Sequence, residues 1–297
     1  MSSAGQGKVP PKTEQAQTVA CALCQSEAQS PFQEREGFQI VRCQDCGLRY
    51  VSPRLSTAAL DREYNDQQAS PTPYYINTAP EDRRTFEDRL GRIEKHTRPA
   101  HLLDLGCGPG TMLQVASERG WQAVGVDLNR TSVAHAQSLG LNALAGTFPH
   151  PELGDQRFDA ITMNDFIEHV PDPVGILGQV RQHLSPGGVA FLTTPDAGSL
   201  MARLFGASWL HVKPREHLFY FDRANIRDLC QQAGLEPLWM GAMGRRRNLR
   251  VVRERLGEYS SLAGKAAGLM LPTALVRRWH VPINLLDEVG LIARARN

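Results

Sequence analysis

Six cysteines, nine histidines and one glycine-rich run carry most of the reactive chemistry of this sequence. Four of the cysteines fall as Cys21-Ala-Leu-Cys24 and Cys43-Gln-Asp-Cys46, separated by a spacer of 18 residues. Each C-x2-C pair sets two sulfurs on one tight turn, and the doubled motif matches a four-thiolate zinc site. Zn2+ held by four thiolates has no open position for water, so the spacing predicts a structural metal. Gly47 follows Cys46 where a knuckle turn needs positive φ, and Phe38–Cys43 reads as a short strand leading into that knuckle. The module has too few residues to bury much apolar surface, so zinc is expected to supply most of its folding free energy. Its role stays open among shaping the active site, mediating dimerisation and binding a partner. Cys107, in the glycine run, and Cys230, on an apolar helix face, are not read as nucleophiles.

His101-Leu-Leu-Asp-Leu-Gly-Cys-Gly-Pro-Gly110 begins as a short apolar strand, ends in three alternating glycines and runs into a helical stretch from Thr111 to Arg119. Glycines let backbone approach a nucleotide closely, and the helix after them presents free N–H groups toward it. The next strand ends at Asp127, about 20 residues on, where a carboxylate can accept hydrogen bonds from both ribose hydroxyls. A dinucleotide fingerprint would place its third glycine at position 111, which is Thr111 here.

From about Thr97 to the C-terminus the chain resembles the class I S-adenosylmethionine-dependent methyltransferase family. Leu102–Gly110 is similar to that family's first motif and Val126-Asp127 to its second. Phe158–Pro173 resembles the fourth-strand region and Leu184–Leu192 the turn and fifth strand, and Glu168-His169-Val170 is similar to the branch of ubiquinone-type O-methyltransferases. The resemblance implies S-adenosyl-L-methionine as cofactor. Asp104, Leu105, Gly106, Cys107, Gly108 and Gly110 would meet its amino-acid and ribose portions, Asp127 and Leu128 its ribose side, and Thr147 its adenine. Asn164 and Asp165 would face the methyl-donor end.

Methyl transfer from a sulfonium is an in-line displacement, so positioning is the main task, and an oxygen or carbon-acid acceptor must also lose a proton. His217 resembles the histidine of a Pro-x-x-His-Leu-x-x-Phe element in this branch, within Pro214–Phe221, and leads the base candidates ahead of His169 and His211. A structural role is open for each of the three. Glu168 and His169 could instead orient the loop, or ligate a metal as the branch implies. Oxygen is the preferred acceptor, with carbon and nitrogen as alternatives. Some sugar methyltransferases of secondary metabolism pair a four-cysteine module with this core, which points to a sugar, lipid-linked or natural-product intermediate. The comparison with that group is partial, since the 297 residues are not expected to include its long C-terminal domain.

These residues need an α/β scaffold: a Rossmann-like, mostly parallel seven-stranded sheet with helices on both faces, preceded by a small zinc-ribbon-like module. The expected organisation is a disordered tail over 1–18, the zinc module over 19–54, a linker and packing helix over 55–97, and the S-adenosylmethionine-binding domain over 98–297. Pro71, Pro73 and Pro80 place the first part of 55–97 in the linker, and Phe86, Leu90 and Ile93 place a helix after it. Tyr64, Tyr74 and Tyr75 either line a substrate mouth or lie on the linker surface. Asp222 is the expected N-cap of a helix from Arg223 to Ala233, closed by Gly234, before a strand from Leu235 to Gly241. The last strand is expected within Asp287–Arg296. A helical insertion is expected over 245–284, opening with six arginines between Arg245 and Arg255 on an amphipathic helix. It would either pack on the sheet or make peripheral membrane contact through 245–276.

Thirty-three basic and 31 acidic residues leave a formal net charge of +2, which offers no global field for nucleic acid. With no apolar signal-peptide core near Met1 and closely spaced cysteines expected to stay reduced, the expectation is a cytoplasmic enzyme acting on a small molecule, with homo-oligomerisation open. Two rivals follow from the same features: a nucleic-acid methylating or binding protein using the zinc module and arginines, and a non-catalytic cofactor-binding scaffold.

Overall fold

The computed structural model describes residues 16–56, 59–60, 72–248 and 280–296. Tyr64, most of the N-terminal tail, and the stretch from Leu249 to Trp279 with its remaining arginines and its apolar run lie outside the described residues. The N-terminal module is built from β1 (Ala16–Gln17), β2 (Gln29–Arg35), β3 (Phe38–Cys43), β4 (Arg49–Val51) and β5 (Arg54–Leu55). Gly47 adopts φ +76° at the second knuckle, and its N–H donates to the Cys43 carbonyl at 3.1 Å.

The main sheet contains β6 (His101–Leu105), β7 (Gln122–Asp127), β8 (Ala143–Ala145), β9 (Phe158–Asn164), β10 (Leu184–Pro195), β12 (Leu235–Asn248) and β13 (His280–Ala295). Their order is β12-β13-β10-β9-β6-β7-β8. Only β13 runs against its neighbours, so six of the seven strands point one way. Period-two alternation divides the core between the two faces. Leu102, Ala160, Val189, Phe191 and Ile292 pack on one side with Leu90 and Ile93 of α1 (Thr72–Ile93) and Met112 and Val115 of α2 (Thr111–Glu118). Leu103, Ile161, Leu192 and Leu291 face the other side. There they meet Leu177 and Val180 of α4 (Pro173–His183) and Ile226 and Leu229 of α6 (Arg223–Gln232). α3 (Arg130–Ser138) and the short α5 (Leu200–Phe205) complete the helices.

Local sequence sets the helix starts. Asn129 caps α3, Asp172 caps α4 ahead of Pro173, and Asp222 with Asn225 forms a capping box on α6. No helix among the described residues is long and apolar enough to cross a membrane.

Two segments depart from the sequence-based expectation. α1 starts at Thr72 rather than beyond Pro80. Pro73 lies in its first turn, where N–H groups have no intrahelical acceptor, and Pro80 removes one bond from a helix held elsewhere by tertiary contacts. Among these are the Thr72 and Ser132 hydroxyls, 2.7 Å apart, and the Arg83–Glu118 ion pair. Arg245, Arg246 and Arg247 are not helical: β12 continues to Asn248 and pairs with Val281–Ile283 and His280 of β13. Backbone partners some 35 residues later in the chain override the local helical spacing, a contest that periodicity alone does not register.

Phe191 is fully buried in the middle of the sheet. Phe191→Ala should lower the unfolding free energy by about 3–5 kcal/mol in urea titrations, whereas a loss below about 1 kcal/mol would contradict this core.

Candidate active site

The glycine turn joins the tip of β6 to α2. Gly106, Gly108 and Gly110 all have positive φ. A Cβ on Gly106 would stand 2.9 Å from the Phe166 ring, whereas one on Gly108 would point into open space. α2 begins on Gly110 with no side-chain cap, so its first N–H groups remain available at the strand tips. The side chains of Leu105 and Cys107 turn inward and are buried, and the Cys107 N–H donates to the Val126 carbonyl at 3.3 Å. The Cys107 sulfur lies where a Gly125 Cβ would have to be, and burial pushes its thiol far above the usual range. One strand over, Asp127 accepts hydrogen bonds from Gly108 N–H at 2.8 Å and Asn129 N–H at 2.7 Å. Its carboxylate is thereby pinned beside the glycines. Leu128 is half-buried and Thr147 is exposed next to it, just beyond Gly146, whose N–H donates to the Asp127 carbonyl.

Toward the center of the sheet, Asp104 is buried, receives the Thr162 hydroxyl at 2.6 Å and the Asn164 amide at 3.4 Å, and has its pKa pushed up to about 7 by burial. Asn164 in turn accepts from Arg89 at 2.8 Å. Arg89 is only 1% exposed and also pairs with Glu288. Glu288 takes a second hydrogen bond from Arg245 at 2.7 Å, and Arg245 reaches Asp165 at 2.5 Å. Asp165 is held below the usual carboxylate range: burial alone would raise it, but Arg245 and Arg89 outweigh that. Arg89 and Glu288 did not emerge from the motif reading. The available signal was Arg89 itself, a charge on the core-facing i, i+3, i+4, i+7 stripe made with the partly buried Phe86 and the buried Leu90 and Ile93.

Beyond Asp165 the three candidate histidines gather. The rings of His169 and His217 meet edge-on at 4.9 Å, and His211 stacks on His217 at 6.5 Å. His217 Nδ1 lies 2.9 Å from the His211 carbonyl and His169 Nδ1 lies 2.8 Å from the Glu216 carbonyl. A carbonyl only accepts, so both Nδ1 atoms carry hydrogen and both Nε2 atoms keep a lone pair. Burial, with His169 and His211 nearby, holds His217 well below 6.5. Glu168 is buried, its pKa is raised well above 4.5 by burial, and it accepts the Thr194 hydroxyl at 2.9 Å while its other oxygen is unpaired. One donor atom each from Glu168, His169 and His217 lies within 4.8 Å of the others, a set that a divalent cation could also accept. His211 lies outside that donor set, with Nε2 3.6 Å from Asp287. Tyr74 and Tyr75 are both exposed, their rings in edge contact at 5.5 Å.

The four module sulfurs lie within 4.8 Å of one another, with Cys21 to Cys46 at 3.4 Å and Cys24 to Cys43 at 3.5 Å. A tetrahedron with Zn–S near 2.3 Å has edges of about 3.8 Å, so the donor set fits zinc. Bound there, zinc would supply rigid geometry and no reaction chemistry.

An open sheet whose first strand ends in glycines below an uncapped helix, with a carboxylate on the next strand tip, is a nucleoside-binding α/β enzyme. The family model described as "Methyltransferase domain" matches residues 79–238, and the chain belongs to that family. It is an S-adenosylmethionine-dependent methyltransferase. Ubiquinone biosynthesis O-methyltransferase of Idiomarina loihiensis is 30% identical over 166 residues, covering 50% of this chain and 68% of that protein. The Chromobacterium violaceum protein of the same name is 29% identical over 177 residues, covering 52% and 74%. Among solved structures, the plantazolicin methyltransferase BpumL in complex with SAH shares the fold at TM-score 0.53 and 15% identity, over 80% of this chain and 95% of that one. CcbJ of Streptomyces caelestis does so at 0.52 and 14%, over 79% and 98%.

Gly108→Ala separates folding from binding, because the added methyl meets no protein atom. The strained φ should cost about 1 kcal/mol of stability, and S-adenosylhomocysteine affinity measured by calorimetry should fall by roughly tenfold or more, the value of a single blocked contact. Unchanged affinity would place the ligand elsewhere.

Proposed function

We propose that this enzyme transfers a methyl group to a hydroxyl oxygen of a small molecule, with His217 as the base. The observation that carries this reading is the His217 tautomer: Nδ1–H is committed to the His211 carbonyl, which leaves Nε2 as a buried lone pair near the donor-end residues. S-adenosylmethionine supplies an electrophilic methyl on a sulfonium. Asp127 takes the ribose hydroxyls with Leu128 beside it, Asp104 and the turn from Gly106 to Gly110 underlie the methionine portion, and Thr147 flanks the adenine. Asn164 and Asp165, fixed by Arg89 and Arg245, border the methyl. His217 Nε2 receives the acceptor proton as the new O–C bond forms and the S–C bond breaks, with Glu168 and His169 flanking the charge that appears on the ring. The name of the ubiquinone biosynthesis relatives supports oxygen as the acceptor atom, and the near-balanced charge supports a small molecule over nucleic acid. A sugar, a lipid-linked phenol or another natural-product intermediate in the cytoplasm fits these features.

The same cluster favours a second reading, in which a divalent cation on Glu168, His169 and His217 binds the acceptor oxygens. Turnover abolished by a chelator and restored by Mg2+ or Mn2+, but not by zinc, would select it.

Screening phenols, sugars and other hydroxyl acceptors with labelled donor tests the primary reading. His217→Ala should lower kcat by about 10²–10⁴-fold, the usual worth of a positioned base, with S-adenosylhomocysteine affinity unchanged. Because the environment lowers the His217 pKa, the base stays neutral on descending past 6.5, so the acid limb of kcat/KM should lie below that value. A variant that keeps most of its turnover removes His217 from the chemistry.

A further inference from the structure

The loop that carries His217 is a strand of the cysteine module's own sheet. β11 (Phe219–Tyr220) pairs antiparallel with β4, setting Phe219 opposite Tyr50 and Tyr220 opposite Arg49, in a four-stranded sheet of order β11-β4-β3-β2. Leu218, next to His217, is gripped from both sides: its carbonyl accepts the Val51 N–H at 2.9 Å, and its N–H donates to the Glu168 carbonyl at 2.8 Å. The module and the Glu168 segment thus meet through one residue.

Further ties converge on the same loop. Arg54 lies over the Phe219 ring at 5.3 Å and donates to the Pro171 carbonyl at 3.1 Å. Arg49 donates at 2.6 Å to the carbonyl of Ala197, whose own N–H donates to Phe221. Asn225, part of the α6 cap, donates to the Cys46 carbonyl at 3.4 Å. The Cys43–Cys46 knuckle forms the closed end of the β3–β4 hairpin, because Leu48 O accepts from Cys43 N just before β4 begins. What fixes the knuckle therefore fixes the edge on which β11 lies.

We propose that the four-cysteine module is the positioning element of the base loop: ligation of Cys21, Cys24, Cys43 and Cys46 holds β4, and β4 holds residues 214–221 with His217 at their center. This deepens the assignment of His217 as base and rests on it for its catalytic meaning. Zinc takes no part in the reaction, and Val51, Arg49 and Arg54 act on His217 through the loop.

The test compares the full chain with Cys24→Ser, which alters the exposed sulfur of the four, and with Cys24→His, which offers zinc a replacement ligand. Zinc per chain, hydrogen–deuterium exchange over 214–221 and S-adenosylhomocysteine affinity are read for each. In Cys24→Ser, zinc should be lost and exchange over 214–221 should rise roughly tenfold, while exchange over 101–127 and S-adenosylhomocysteine affinity stay within about twofold. Cys24→His should restore both zinc and protection. A zinc-free chain whose 214–221 amides exchange as in the wild type overturns the proposal. If the zinc-free chain does not fold, Arg54→Met carries the test with the sulfurs intact: faster exchange over 214–221 and a lower kcat at unchanged donor KM support positioning, and no change in either overturns it. Full turnover by His217→Ala would overturn the base assignment alone, because loop protection is measured without reference to catalysis.

Discussion

Four paired charges where the sheet meets the cleft, Arg89 and Glu288 buried and Asp165 and Arg245 partly exposed, set the conditions for the rest of the site. Arg89 comes from the first described helix, Asp165 from the end of β9, Arg245 from β12 and Glu288 from β13. Taking such groups out of water is costly unless each is met by an opposite charge, so removing one member leaves another uncompensated. The network therefore requires α1, β9, β12 and β13 to be correctly docked together. It joins residues 199 positions apart, Arg89 and Glu288, at the donor end. Through Asn164 it continues to Asp104, so the charge pairing and the first strand share one hydrogen-bonded chain.

The fold was largely legible because its signals are local. Strand β6, the three glycines and α2 occupy 18 consecutive positions from His101 to Glu118, and Asp127 ends the next strand at a distance set by one helix and one turn. The four cysteines read equally well, since two turns define their geometry. What stayed hidden is nonlocal. Arg245 carries a basic segment's signature in the sequence, yet its guanidinium is spent on Glu288 and Asp165, and its backbone on β13. Composition cannot distinguish a solvated arginine from a paired one. The prolines before Phe86 likewise read as linker, because the contacts that hold α1 together lie in other parts of the chain. The histidines were visible as candidates, but which nitrogen of His217 is free depends on the carbonyl of His211, a backbone contact that no motif encodes.

The N-terminal module shows how a small domain escapes the limit of its own size. Its few apolar residues were expected to leave zinc as the main source of stability. In the structure Leu23, Val41, Leu48 and Tyr50 belong to the same continuous core as Leu103, Ile161 and Phe221 of the sheet. The module is stabilised by burial against the large domain as well as by its sulfurs, and the shared core keeps β4 in register with β11. Metal and packing thus act on one hairpin from opposite ends.

Charge conservation ties the donor end to the histidines. On the proposed chemistry, one positive charge on sulfur before transfer becomes one on an imidazole after it, a few ångströms away. A site with a large fixed charge would favour one of these states and penalise the other. Here Arg89 and Arg245 balance Asp165 and Glu288, and burial raises the Glu168 pKa toward its neutral form. The result is a nearly neutral setting in which a cation can move from sulfur to nitrogen with little change in the balance of fixed charge around it. Glu168, with one oxygen still unpaired beside the histidines, can offer a lone pair to the imidazolium as it forms without changing its own protonation, so one proton passes from acceptor to His217 and one positive charge from sulfur to nitrogen.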